Sequence, residues 1–168
     1  FINAVRMIFC LLIGFVILLP EIISGSFVLD VEAIAYGTMA GITLSAFLVT
    51  WLLAVKHGAF MLISVTQMFG VVVTLVCSFL VFSDPILPRQ MIAIALLIVA
   101  VIIMASYSTK LKGSLSIKAI ILLVLCGLSS GLYDFSLKLF THFSSASVST
   151  LNLFSYLVAA VVLGTIFL

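Results

Sequence analysis

Charge is what this sequence has least of. Only 7% of its 168 residues are Asp, Glu, Lys or Arg, and 65% are hydrophobic; a soluble domain carries about 25% charged residues. No water-soluble core absorbs that much apolar surface, and with a mean hydropathy of +1.54 the chain is expected to be multi-pass and integral to a bilayer, its first partner. Cysteine is almost as scarce. Cys10, Cys77 and Cys126 stand singly inside apolar runs, which excludes a disulfide framework and a cysteine-based zinc site. The two histidines, His57 and His142, are read as lying in links, so no His/Glu/Cys cluster offers metal ligands. A net charge of +2 without a basic block argues against nucleic acid. Phosphate loops, nucleophile elbows and paired carboxylates in a dry pocket are all missing, so neither a cofactor nor an enzyme is expected.

What is present is organised as six apolar spans, each near the ~20 residues a helix needs to cross about 30 Å of hydrocarbon. They run from Ile2 to Pro20, Val31 to Val55, Ala59 to Phe82, Arg89 to Tyr107, Ile117 to Phe140, and Val148 to Leu168. The links are Lys56-His57-Gly58, the proline break at Ser83-Asp84-Pro85, and the polar STKLKGSLS. Leu18-Leu19-Pro20-Glu21 offers no small-residue cleavage site, so a signal peptide is not expected. Both ends are apolar, and the chain reads as an internal fragment of a longer protein.

The fourth span is apolar throughout Met91 to Ala105, as suits a helix facing lipid, whereas the others carry polar groups. Polar atoms in hydrocarbon must find partners or water, so those spans are expected to face one another or an aqueous cavity. Most Ser and Thr are expected to bond their own backbone or to hydrogen-bond between helices. Tyr36, Gln67, Tyr133, Asn152 and Tyr156 are the better cavity candidates, since amide and phenol groups orient a solute without a desolvated charge. Trp51 and Tyr107 fit interfacial belts. Gly37/Gly41 and Gly127/Gly131 have the small-residue spacing that lets helix backbones approach closely.

Two charged groups inside spans have two readings each. Asp134 and Lys138 share a helical face with Gly127 and Gly131. They make either a clamp at the membrane boundary or, through Asp134, a proton- or cation-handling site, since a mid-membrane charge costs ~2.5–3.5 kcal/mol on insertion scales. Arg6 either marks the interface or holds an anionic solute.

Laying FINAVRMIFCLLIGFVILL over TLNLFSYLVAAVVLGTIFL places Asn3 on Asn152 at an offset of 149. Five spans separate the two starts when the first is counted, and an odd number of helices per repeat inverts the second copy, the architecture of many secondary transporters. The order of elements resembles the EamA-type drug/metabolite transporter superfamily. The resemblance rests on NAVRMIFCLL, on the tightly linked pair FLVTWLLAVKHGAFMLISVTQMFGVVVTLVCSFLVF, on SDPILPRQ before MIAIALLIVAVIIMA, and on GLSSGLYDFSLKLF opening a second half. Asp84 stands where members often carry Glu. The resemblance implies an all-α membrane protein whose six transmembrane helices belong to a ten-helix 5+5 inverted repeat. Residues 1–109 would be helices 2–5 of that whole and residues 110–168 helices 6–7.

The expected function is secondary active transport or export of small amino-acid-, nucleoside- or drug-like solutes by alternating access, with proton coupling as a further option, in a bacterial-type plasma membrane. A non-transporting scaffold that uses its glycine faces to bind partners is the alternative, and a homodimer is left open. Orientation is divided. Arg6, Lys56, Lys110, Lys112 and Lys118 collect on one side, which the positive-inside rule makes cytoplasmic, while the resemblance puts the Lys110–Lys118 link outside.

Overall fold

The computed structural model describes residues 2–56, 60–83, 87–112 and 116–167. They form six helices: α1 (Ile2–Ile23), α2 (Val31–Lys56), α3 (Phe60–Phe82), α4 (Pro88–Lys112), α5 (Ile117–Phe143) and α6 (Val148–Phe167). Four are long and apolar enough to cross a membrane, over Val5–Ile23, Val31–Lys56, Ile117–Phe143 and Val148–Ile166. The described apolar stretches of α3 and α4, Gln67–Phe82 and Pro88–Ala100, are shorter. The six spans read from the sequence thus correspond to six helices. The His57-Gly58 link, the Asp84-Pro85 break and the side chains of Ser64, Thr66 and Tyr107 lie outside what is described.

Three helix ends differ from the sequence reading, each for a local reason. Pro20 lies inside α1, which continues to Ile23. A proline so near a helix end removes one amide bond, and the last turn is closed by other means. Gly25, at φ 71°, takes the left-handed position there. Its amide donates to the Ile22 carbonyl at 3.2 Å, and the Ser26 amide donates to Glu21 at 3.0 Å, the paired bonds of a Schellman stop. Helix α4 extends through the polar residues after Tyr107 to Lys112, since Lys and Leu are good helix formers and no breaker precedes Gly113. Helix α5 runs on to Phe143, so His142 stands in its last turn rather than in a link.

Helix starts follow cap chemistry. Asp30 Oδ1 accepts from the Ala33 amide at 2.8 Å to open α2, and Ser147 Oγ accepts from the Thr150 amide at 3.3 Å to open α6. At α4, Pro88 occupies the first helical position while Gln90 Oε1 reaches back to the Leu87 amide at 2.9 Å.

Packing divides the chain into two compact units, Phe1–Ser45 with Ser136–Leu168, and Ala46–Phe135. In the first, α1 packs along α6, and Ala33, Phe140 and Leu151 form a buried cluster flanked by Tyr36, Leu137 and Ala146. Gly37 and Gly41 make the α2–α6 approach possible. A Cβ at Gly37 would stand 2.7 Å from Phe154 Cβ, and one at Gly41 would stand 2.6 Å from Val158 Cβ and 2.7 Å from the Ser155 carbonyl. In the second unit, Ala54, Ala119 and Leu123 form a buried cluster with Trp51 packed on it, and α3 packs on α4. Gly131 of α5 lies directly against Gly70 and Val73 of α3. There Thr74 Oγ1 donates to the Gly131 carbonyl at 2.9 Å.

Candidate functional site

The first unit holds a cleft of about 180 Å³ between α1 and α6 with two unlike walls. Cys10, Ile13, Gly14 and Ile17 line it from α1, and Ser149, Asn152 and Tyr156 line it from α6. Each set repeats every three or four residues, so it forms one stripe on its helix. A Cβ at Gly14 would meet Tyr156 Cδ2 at 3.8 Å and Leu153 Cδ1 at 3.9 Å. With Glu21 bonded to Ser147, α1 and α6 run antiparallel. The α1 wall is apolar apart from a thiol; the α6 wall offers a hydroxyl, an amide and a phenol. No hydrogen bond among the described residues engages the Asn152 amide or the Tyr156 hydroxyl, and both residues are half-buried. Only Asn3 Nδ2, among the described side-chain nitrogens and oxygens, is buried without a partner. The polar side-chain atoms of this wall are thus accessible at the cleft.

A second α1–α6 cleft, of about 350 Å³, is lined by Leu11, Leu12, Phe15, Leu153, Phe154 and Leu157. It is larger but its lining presents no polar side chain to recognise a solute.

One end of this unit is tied by carboxylates. Ser144 Oγ donates to both Asp30 oxygens at 2.9 Å, and the Ser145 amide and hydroxyl donate to Asp30 Oδ2 at 3.1 and 3.3 Å. Ser147 Oγ donates to Glu21 Oε2 at 2.6 Å. The links α1–α2 and α5–α6 are thereby clasped together. Partial burial pushes the Asp30 carboxyl upward, but the bonds from Ala33, Ser144 and Ser145 outweigh it and hold the group below its ordinary value.

Of the seven residues singled out from sequence, Asn152 and Tyr156 are brought together in the cleft. Arg6 is exposed on α1, a turn before Cys10. Tyr36 is half-buried and stacks on Phe143, with ring centroids 6.3 Å apart. Gln67, Tyr133 and Asp134 belong to the second unit, where Gln67 and Asp134 are exposed and Tyr133 is half-buried. Most hydroxyls inside the helices behave as the sequence reading holds. Thr38, Ser45, Thr50 and Ser106 each donate to the carbonyl four residues back, at 2.7–2.8 Å.

The sequence reading passed over Cys10, Gly14 and Ser149 as site residues. Their stripe spacing was legible, but nothing local says that α1 faces α6. No match was found in comparisons with family models, curated proteins and solved structures.

Proposed function

We propose that this chain is part of an integral-membrane secondary transporter that moves small solutes by alternating access between inverted halves. One observation carries the reading: two membrane-length apolar helices flank an open cleft whose one wall is polar and without hydrogen-bond partners among the described residues. Hydrogen-bonding groups without partners are costly in hydrocarbon, so their presence calls for water or a solute. The antiparallel course of α1 and α6 agrees with the inverted-repeat reading, as it does with any six spans that alternate in direction. Membership in the EamA-type superfamily, the ten-helix whole and a plasma-membrane location extend the same proposal.

The scaffold alternative draws on free glycine faces. Gly37 and Gly41 are already occupied by α6 and Gly131 by α3, which weighs against it. Coupling to protons through Asp134, an exposed carboxylate on a membrane-length helix, is a subordinate part of the proposal. Counterflow in proteoliposomes carrying the full-length protein tests the main reading. Flux that falls in Asn152→Leu and Tyr156→Phe supports it, and a protein inert to every solute class overturns it. An Asp134→Asn variant with unaltered flux and unaltered pH profile would remove the proton arm.

A further inference from the structure

We infer that the α1–α6 cleft takes an uncharged, amphipathic solute of limited size, and that Gly14 sets the limit; the inference rests on the transport reading and names its substrate class. The charge argument comes from what the walls lack. Among the seven lining residues none is acidic, basic or histidine. The nearest charges on the same helices stand outside the cleft: Arg6 is exposed beyond Cys10, and Glu21 is bonded to Ser147 beyond Ile17. A carboxylate or ammonium entering this space would lose hydration with no counter-ion on the lining to offset the loss. A neutral amide or alcohol loses far less and finds donors and acceptors on Ser149, Asn152 and Tyr156.

The shape argument comes from the opposition of the walls. A polar edge can bond along α6 while an apolar edge lies on Ile13 and Ile17. The cleft, of about 180 Å³, is open along Ile13 and Ile17, both more than half exposed, and offers a short branched chain an apolar surface to lie on. Gly14 lines the cleft on α1 and faces Tyr156 of α6. A methyl there would make ordinary contacts, 3.8 Å to Tyr156 and 3.9 Å to Leu153, whereas a longer side chain would project into the cleft itself.

The test uses the purified full-length protein and isovaleramide, isovalerate, isoamylammonium and leucine, which pair similar branched chains with neutral, anionic, cationic and zwitterionic ends. A ligand that binds only the folded state raises the unfolding temperature. We expect isovaleramide alone to raise it. We expect Asn152→Leu and Gly14→Leu to unfold at the temperature of the parent yet to lose about tenfold or more in amide affinity, equal to ~1.4 kcal/mol. Equal stabilisation by the charged compounds, or none by the amide, overturns the inference. So does an undiminished response in Gly14→Leu. Counterflow of isovaleramide separates the two levels. Stabilisation without counterflow leaves the ligand class standing and removes the transport reading, while counterflow confined to charged solutes does the reverse.

Discussion

At the scale of single residues, glycines divide into those that hold helices together and those that hold space open. Gly41 allows no Cβ, because the atom in the way includes the Ser155 backbone carbonyl at 2.7 Å, which no rotamer change moves. Gly41→Ala should therefore lower stability by about 1–3 kcal/mol despite the better helix propensity of alanine. Gly14→Ala meets side chains only at 3.8 Å and beyond, so it should be neutral or gain up to ~1 kcal/mol from propensity. Thermal unfolding of the two variants in one detergent checks the contrast, and equal effects would refute the packing account. The glycine spacing in α2 was readable from sequence, but the partner was not. The contact of Gly41 with Val158 joins residues more than a hundred positions apart, and nothing in either stretch names the other.

Among elements, the spans were legible because apolar length and polar links are local properties. Their ends were less so, since α1 runs past Pro20 and α4 past Tyr107 on capping and propensity that a hydropathy reading does not weigh. The clasp between the α1–α2 and α5–α6 links was not foreseen. It needs Asp30 to cap its own helix and to receive Ser144 and Ser145 as well. Its pH dependence has a definite sign. The folded-state Asp30 carboxyl lies below its ordinary value of 3.8, so its contribution is complete above that value and is lost as the pH falls through the lower, folded one. Parent and Asp30→Asn should thus differ in unfolding temperature by a constant amount from neutral pH to about pH 5, and should converge at pH values below the folded pKa. A difference that grows on acidification would contradict the assignment. Ser144→Ala should reproduce part of the loss at neutral pH, without abolishing the convergence in acid.

For the molecule as a whole, the account depends on water and solute reaching the polar wall of α6. The candidate cleft was only half legible: Asn152 and Tyr156 declared themselves as polar groups in an apolar run, whereas Gly14 and Cys10 acquire meaning only once α1 lies antiparallel to α6. Cys10 supplies the most direct measurement, because it lines the cleft while Cys126 is buried. In a Cys77→Ser background of the full-length protein in proteoliposomes, a small membrane-impermeant methanethiosulfonate should modify Cys10 and leave Cys126 intact, with isovaleramide slowing the reaction. Cys10 as unreactive as Cys126 from both sides of the membrane would mean that the cleft is dry, and the transport reading would fall with it.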